Sequence, residues 1–376
     1  MLKALILTGQ NQYSVVSYFL NGIADDLKLL GYDVDFLNVE NQTNIDKGLP
    51  HICALEQYAF IISFNGVGLG KLSDTHDTLA YAKTNPLYVF CVDNPLHLIL
   101  RFFGHPVTIL CVAQEHVEFM RACGIKAHYF PHAISHNDPA FSSNEDASSE
   151  KQHCLKKPKS ILFPVSFNDK QAAFNELAPV WKSLGTAVDA CANVTDFLQR
   201  IGVLPTATSP ARTTLNESIL RISAVVDRYL RAKEREACLL DFAKRGIKLT
   251  IVGNNVERYR NVCDFHEYEQ SVSFDALRDK FKQYEFVLHQ SPGFERGLHE
   301  RVIHAIAAGT GVITWNAPFA LSAFNNAGAF AYSAPLPNAT DALYTNALEV
   351  GKKQLMTNHT WKAQLAYVLK AQNTAG

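Results

Sequence analysis

The side chains best suited to chemistry lie together in residues 286–309. A continuous apolar run at 286–289 predicts a buried strand, and a loop punctuated by Gly293 and Gly297 follows it. A helix is predicted over 298–308. A strand that leads through a flexible loop into a helix N-terminus can hold an anion, because free backbone N–H groups and the positive end of the helix dipole point at the ligand.

Three polar side chains stand at the start of that predicted helix: His299, Glu300 and Arg301. A carboxylate at this place can accept hydrogen bonds from two ribose hydroxyls, and a guanidinium pairs with phosphate through a fork of N–H donors. The plainer alternative is that Glu300 only favours the helix dipole and Arg301 is a solvated side chain. Because three polar groups converge with two loop glycines, Gly293 and Gly297, we predict a nucleotide-binding site here.

Two further segments are predicted to border the same ligand. One is the turn at Gly253 and Asn254, which ends a predicted buried strand. The other is His289, Gln290 and Ser291, at the end of the strand that precedes the glycine loop, the end at which open α/β sheets bind ligands. An ordinary tight turn and a satisfied core histidine are the alternatives that the sequence leaves open.

Catalytic candidates come from an earlier part of the chain. Asp93 follows an apolar strand and precedes Asn94-Pro95, whose proline fixes the turn and favours an Asp93 side chain that faces a cleft. In an inverting transferase, a carboxylate or an imidazole deprotonates the acceptor hydroxyl. Asp93 and His97 are the candidates, and a turn cap without chemistry is the alternative for Asp93.

Contacts to an acceptor are predicted from the same part of the chain. Asn65 and Gly66 open a glycine-rich loop that narrowly misses the dinucleotide fingerprint, since Lys71 stands where the third glycine belongs. We therefore interpret the loop as a flexible cleft edge. Asn94 and His132 complete the predicted acceptor side, although a histidine near a linker can also be simply exposed.

The elements that position these residues follow from apolar runs that are continuous rather than alternating. Such runs predict strands covered on both faces, and hence parallel sheets with helices on each side. Predicted strands are 4–7, 34–37, 60–64, 87–92, 108–112, 127–130, 160–165, 248–252, 286–289 and 311–314, and predicted helices are 15–30, 116–123, 171–245 with a break at 202–214, 298–308 and 359–371.

The pattern divides the chain into two α/β domains. We predict an N-terminal domain over 1–135, a polar linker over 136–159, a second domain over 160–357 with a helical insertion at about 171–240, and a C-terminal crossover helix over 358–376. A length of 376 residues agrees with two cores.

Composition excludes several classes of protein. The 47% apolar and 19% charged residues are typical of a globular chain, and the balance of 35 Lys+Arg against 36 Asp+Glu argues against a nucleic-acid binder. No apolar run is long enough to span a bilayer, so membrane embedding is not expected, while contact with a membrane surface stays open. Eight scattered cysteines predict reduced thiols and a cytoplasmic protein, and no residue spacing suggests a bound metal.

Three segments, in order along the chain, resemble the CgeB-like glycosyltransferases, a family of GT-B proteins named from a spore maturation protein. Residues 297–309 (GLHERVIHAIAAG) resemble its Gly-x-(Asn/His)-Glu-Arg signature, residues 89–95 (VFCVDNP) its Asp-Asn-Pro motif, and residues 358–361 (NHTW) its C-terminal motif. The resemblance implies two Rossmann-like domains whose parallel sheets face each other across a cleft, with a C-terminal helix that crosses back. It also implies a UDP- or GDP-type sugar donor bound mainly by the second domain.

Carried over to this sequence, the donor-binding set also includes Leu298 and His304. His304 stands where many retaining GT-B enzymes have Glu, and Arg296 stands where they have another Glu eight residues earlier. The paired-Glu arrangement is therefore absent, and the sequence leaves an inverting or a retaining outcome open.

These observations predict a glycosyltransferase that needs neither metal nor bound cofactor and transfers sugar to a protein or glycan acceptor. A helix N-terminus and Arg301 can stabilise the leaving diphosphate. A sugar-nucleotide epimerase and a non-catalytic GT-B module that binds glycan are the alternatives. A Rossmann oxidoreductase fits less well, because the first βα turn (TGQN, residues 8–11) has one glycine where that fingerprint needs three.

Overall fold

Two parallel sheets of six strands dominate the molecule. The computed structural model describes residues 2–10, 14–142, 156–338 and 340–373. In these ranges, neighbouring strands within each sheet pair in parallel. We call the first sheet with its helices the first lobe (residues 2–135) and the second sheet with its helices the second lobe (residues 156–358).

The first sheet has the order β2-β1-β3-β4-β5-β6. Its central strands are almost entirely buried, as their continuous apolar runs predict. The strands are β1 (Leu2–Thr8), β2 (Tyr32–Asn38), β3 (Tyr58–Phe64), β4 (Leu87–Cys91), β5 (Thr108–Cys111) and β6 (Ala127–Tyr129).

The second sheet has the order β12-β11-β10-β7-β8-β9, so the strand order reverses between β7 and β10. Such a switch point opens a crevice at the carboxyl ends of the two strands, where ligands of this architecture bind. The strands are β7 (Lys157–Pro164), β8 (Leu249–Gly253), β9 (Glu267–Gln270), β10 (Tyr284–Gln290), β11 (Gly311–Trp315) and β12 (Ala329–Ala331).

The helices cover both faces of the sheets. Those of the first lobe are α1 (Val15–Leu29), α2 (Gln42–Gly48), α3 (Thr78–Tyr81) and α4 (Gln114–Ala122), with 3-10 turns at Leu49–His51, Leu55–Gln57, Pro95–His97 and Ile99–Arg101. Those that follow are α5 (Pro139–Ser142), α6 (Lys170–Asp189), α7 (Val194–Arg200), α8 (Glu217–Lys244), α9 (Val256–Arg260), α10 (Phe274–Phe281), α11 (Glu300–Ala307), α12 (Pro318–Ala323), α13 (Ala342–Asn358) and α14 (Trp361–Asn373).

The predicted elements are present with shifted ends, and three places differ. The predicted linker 136–159 contains α5 and the first residues of β7, while 143–155 lies outside the described residues. The helix predicted from residue 298 begins at Glu300, because His299 is its N-cap. The final helix begins at Trp361 rather than at residue 359, since α13 ends only at Asn358.

The helical insertion α6–α8 contacts both lobes. Residues of α6, α7 and α8 pack together in a core of their own, around Leu177, Phe197 and Leu230. Leu198 of α7 and Leu220 of α8, however, pack into the core of the first lobe. Although it interrupts the second lobe in sequence, the insertion therefore connects the two lobes.

The C-terminal helix α14 crosses back to the first lobe. Trp361 is completely buried among Phe90 and Phe130 of that lobe. The approach to α1 is so close that a Cβ on Gly22 would lie 3.0 Å from the Trp361 Nε1. The backbone N–H of Lys362 also donates to Asp26 at 2.7 Å. The GT-B arrangement with a crossover helix is thus confirmed.

Three observations concern the described residues only. Cysteines 53, 91, 111, 123, 191, 238 and 263 are all free thiols, while Cys154 lies outside the described residues. No helix of the described ranges is long and apolar enough to cross a membrane. No group of three or more His, Cys, Asp or Glu residues in those ranges is arranged to hold a metal ion.

Candidate functional site

The carboxyl end of β10 carries buried polar groups without partners. His289, Gln290 and Ser291 are 1%, 3% and 7% exposed. Neither imidazole nitrogen of His289, neither amide atom of Gln290, nor the Ser291 hydroxyl has a hydrogen-bond partner in the described part of the chain. Because a buried polar group without a partner is costly, this strand end is suited to a polar ligand.

The N-terminus of α11 lies beside these groups and holds an ionised carboxylate. Glu300 Oε2 is 2.6 Å from His299 Nδ1 and 3.5 Å from His132 Nε2. Burial opposes ionisation of Glu300, but the neighbouring His299, His132 and Arg301 outweigh it and hold the pKa of this carboxyl well below its ordinary value. The three polar residues that the sequence predicts at the helix start are therefore in contact, with His132 added from the first lobe.

Three arginines converge at the same edge of the second sheet. Arg301 donates to the Gln290 carbonyl at 3.3 Å. Arg235 of α8 donates to the Ser166 carbonyl, and its buried Nε has no partner among the described residues. Burial and the like charges of Arg231 and Arg301 lower the pKa of Arg235 to about 10. Arg231 is ion-paired with Asp227 and Arg301 lies beside the ionised Glu300, so an anion bound here would mainly complement the charge of Arg235.

A pocket of about 190 Å³ adjoins this arginine cluster. Its walls are mostly apolar and include Val15 of the first lobe together with Val165 and Val272 of the second. Glu300 and Arg301 are the charged residues of its lining. A mostly apolar recess that also exposes a carboxylate and a guanidinium suits an aromatic base with a hydroxylated, phosphorylated extension.

The first lobe holds the glycine loop between β10 and α11. The Glu115 carboxylate of α4 accepts from the backbone N–H groups of Glu295 at 2.6 Å and Arg296 at 3.1 Å. His116 Nε2 donates to the Gly293 carbonyl at 2.9 Å. Two backbone donors that the sequence predicts for phosphate are therefore already occupied by a carboxylate of the protein itself. These two N–H groups are therefore not free to bind an anion in this structure.

Two of the predicted site glycines occupy positions where no side chain fits. A Cβ on Gly297 would lie 2.5 Å from the carbonyl oxygen of Val112 in the first lobe. A Cβ on Gly253 would lie 1.8 Å from the Val165 carbonyl oxygen, where β7 and β8 end. Close backbone approach explains both glycines. Gly253 also lines the pocket, while the neighbouring Asn254 accepts a backbone hydrogen bond from Phe167.

Leu298 and His304, which the resemblance adds to the donor-binding set, are buried away from the arginine cluster. Leu298 is 3% exposed and packs in the core of the second lobe. His304 is 1% exposed, lies against Tyr18 and Phe274, and has no partner for either ring nitrogen among the described residues. Burial lowers the pKa of His304 to about 3, so the ring is neutral. Both residues support the junction of the lobes from inside.

The candidate residues of the first lobe form a compact group at the carboxyl edge of its sheet. Asn65 donates to Asp93 at 2.8 Å and accepts from the backbone N–H of Val92 at 3.0 Å. Asn94 caps the following 3-10 turn by accepting from the N–H of Leu96, so the turn cap is Asn94 rather than Asp93. Gly66 has φ of +77° and closely approaches Phe102.

His97 and His132 both contact the second lobe. His97 Nε2 is 2.9 Å from Asp227 Oδ2 of α8. His132 is only 3% exposed, and burial lowers its pKa to about 4. The structure therefore places His132 on the donor side, next to Glu300, rather than at an exposed acceptor surface.

Four residues of this region are not predicted from the sequence: Glu115, Asp227, Arg231 and Arg235. The last three share one face of α8, with spacings of four residues. That spacing is the only signal in the sequence, and in a helix rich in charges it resembles an ordinary solvated face.

Comparison with known proteins agrees with the geometry at the level of the fold. No protein-family model and no curated protein matches the sequence. Among solved structures, sucrose-phosphate synthase from Thermosynechococcus elongatus is similar over 100% of both chains, with 10% identity and a TM-score of 0.52. An alpha-glucosyltransferase in complex with UDP and DNA (98% of both chains, 10% identity, TM-score 0.49) and Anabaena HepE with UDP and glucose (99% and 100%, 10% identity, TM-score 0.47) are more distant. At these identities the likeness shows a two-domain GT-B fold.

Proposed function

We propose that this protein is a glycosyltransferase that moves a sugar from a nucleoside-diphosphate sugar to a protein or glycan acceptor. The observation that carries the proposal is the convergence of Arg231, Arg235 and Arg301 beside a mostly apolar pocket at the switch point of the second sheet. Phosphate oxygens are strong acceptors for guanidinium N–H groups, and a nucleoside has the apolar base and the hydroxyls that suit the adjoining pocket.

The pocket suggests how the donor lies. The base would fill the apolar end near Val165 and Val272, and the ribose hydroxyls would donate to the ionised Glu300. The diphosphate would then reach the arginines. His289, Gln290 and Ser291 would gain the partners that they lack, through the phosphates or the sugar.

The same groups would assist departure of the nucleotide. When the bond between the anomeric carbon and the phosphate oxygen breaks, negative charge develops on that oxygen, and preorganised cations stabilise it. Three guanidinium groups supply this charge, so we propose that transfer needs no divalent cation. Activity that is unchanged by EDTA would support this point.

The acceptor would approach from the carboxyl edge of the first sheet, at Asn65, Gly66, Asp93 and Asn94. This edge faces the second lobe at the His97–Asp227 contact. We also propose that the protein is cytoplasmic and that it belongs to the CgeB-like family.

Ligand-induced stabilisation tests the proposal. UDP, GDP, UDP-glucose and GDP-mannose would be compared in thermal unfolding, where a ligand at 100 times its Kd adds about 2.7 kcal/mol of stability. We expect one nucleotide class to raise the Tm and Arg301→Ala to abolish the shift while the protein stays folded. Arg221→Ala is the matched control, because Arg221 is exposed and pairs with Glu217 on its own helix. A full shift in Arg301→Ala would contradict the proposal.

A module that binds nucleotide sugar without transferring it is the second candidate. This candidate is favoured because Glu115 accepts hydrogen bonds from the loop N–H groups. The loop is therefore held against the first lobe without a ligand. Such a module would show the same Tm shift without nucleotide release. Measuring released nucleotide with and without acceptor also separates an epimerase, which consumes donor without an acceptor.

A further inference from the structure

His97 and Asp227 form a direct contact between the two lobes. His97 ends the 3-10 turn that follows β4, and its Nε2 lies 2.9 Å from Asp227 Oδ2 on α8. The Asp227 side chain is 3% exposed, whereas that of His97 is 35% exposed. One ring nitrogen is therefore held by a buried carboxylate, while about a third of the His97 side chain stays exposed.

Asp227 is shared with an arginine of the proposed phosphate site. Arg231 Nε lies 2.9 Å from Asp227 Oδ1 and 2.8 Å from Oδ2. Burial alone would raise the pKa of Asp227, but the Arg231 charge and the His97 hydrogen bond hold it below its ordinary value. The carboxylate is thus ionised, with an imidazole on one side and a phosphate-binding guanidinium on the other.

An ionised acceptor on Nε2 determines where the imidazole carries its proton. Since a carboxylate accepts hydrogen bonds, the neutral ring keeps its proton on Nε2 and presents the lone pair of Nδ1. No protein atom in the described ranges is hydrogen-bonded to Nδ1. The other charged or titratable groups near this pair are Arg231, Arg235 and His116, and His116 is kept neutral by burial, which lowers its pKa to about 4.

We propose that His97 is the general base of a direct sugar transfer and that Asp227 is its positioning residue, supplied by the opposite lobe. This inference rests on the proposed function. His97 Nδ1 takes the proton of the acceptor hydroxyl while the acceptor oxygen bonds to the anomeric carbon. The bond from that carbon to the phosphate oxygen breaks, and its electron pair leaves with the nucleoside diphosphate. Asp227 stabilises the imidazolium that forms.

Asp93, the other candidate base, is less suitable. Its carboxylate accepts from Asn65, and the Asn65 side chain is in turn held by the backbone of Val92. Asp93 is therefore bound within its own lobe, whereas His97 adjoins the phosphate site through one carboxylate. Because His97 belongs to the first lobe and Asp227 to the second, this pair forms only when the two lobes are packed together.

The test uses the full chain and the sugar nucleotide that gives the largest Tm shift. Proton NMR of the transferred or hydrolysed sugar should show an inverted anomeric configuration, because a single displacement inverts the carbon. His97→Gln should lower kcat at least about 100-fold and leave the donor KM within about threefold. Asp227→Asn should lower kcat by at least about tenfold, and the double variant should be no slower than His97→Gln, since the two residues act as one unit.

His105→Gln is the matched control, because His105 is exposed on the same lobe. Nitrogen-15 NMR of the ligand-free protein should place the His97 proton on Nε2 at neutral pH. A retained configuration, an active His97→Gln variant, additive losses or a proton on Nδ1 would each overturn the proposal. Binding of UDP or GDP without turnover of any donor would also count against it. That result, like the absence of any nucleotide binding, would overturn the proposed function as well, whereas a retained configuration or an active His97→Gln variant in a working transferase would overturn only the role of His97.

Discussion

The two lobes present the same edge of the same kind of sheet to each other, yet the two edges differ in their chemistry. On the first sheet, Asn65, Asp93 and Asn94 satisfy one another and the nearby backbone. On the second, His289 and Gln290 are buried with unpartnered polar atoms, and three arginines lie close enough to lower the pKa of one of them.

This difference shows where the molecule needs a ligand. A self-satisfied edge is stable as it stands and can serve as a surface for a variable acceptor. An edge that holds unpartnered polar atoms and like charges is destabilised until an anion with several acceptor oxygens fills it. The fold is therefore nearly symmetric, while the proposed binding of a charged donor is confined to the second lobe.

The largest expected effect comes from weakening the contact of the crossover helix with the first lobe. Trp361→Ala removes a completely buried side chain that holds α14 on the first lobe, and we expect a loss of about 4 kcal/mol in the free energy of unfolding. Denaturant titration measures the loss. Tyr367→Ala, on the same helix but 66% exposed, should change it by less than about 0.5 kcal/mol. Equal effects would show that the crossover helix does not hold the lobes together.

A smaller effect should distinguish the edges directly. Arg235→Ala removes one cation of the second edge, and we expect UDP or GDP affinity to fall about 10- to 100-fold, as for a lost charge-assisted hydrogen bond. Asp93→Asn on the first edge should change that affinity less than about threefold. Isothermal titration calorimetry gives both values. If Asp93→Asn weakened nucleotide binding more than Arg235→Ala, the roles of the edges would be reversed.

A pH-dependent effect concerns the junction between the lobes. Burial lowers the pKa of His116 and His132 to about 4 and that of His304 to about 3, from an ordinary 6.5. Below pH 6.5 the unfolded chain binds protons that the folded chain does not. Stability should therefore fall as the pH drops from 6.5 towards 4, by roughly 1.4 kcal/mol per pH unit for each histidine.

A single substitution isolates one part of that slope. His304→Phe keeps an aromatic ring among Tyr18 and Phe274 but removes one titrating group. The fall in unfolding free energy between pH 6.5 and 4 should become less steep by up to about 1.4 kcal/mol per pH unit, and by less in His105→Gln, whose side chain is exposed. An unaltered slope in His304→Phe would mean that this ring already takes up a proton in the folded protein.

The sequence predicts most of the fold because its strands are buried on both faces. Continuous apolar runs mark β1, β4 and β10 without ambiguity. The strands that are missed are short or polar: β9 is Glu-Tyr-Glu-Gln and β12 has three residues. These edge strands form because a neighbouring strand offers a template, which is a tertiary effect that local patterns do not contain.

The candidate site is predicted only where its residues are close in sequence. His299, Glu300 and Arg301 share one helix start, so spacing reveals them. His97 and Asp227 are 130 residues apart, and their contact depends on how α8 lies across the cleft. Glu115 similarly meets the glycine loop about 180 residues later. Such pairings follow from the packing of the lobes, which the local pattern of residues does not specify.

The structure of a UDP or GDP complex would test the central claim most directly. We expect the base in the pocket near Val165 and Val272, the ribose at Glu300, and the diphosphate between Arg235 and Arg301. A nucleotide bound at Asn65 and Asp93 instead, or no density for either nucleotide at millimolar concentration, would contradict the account.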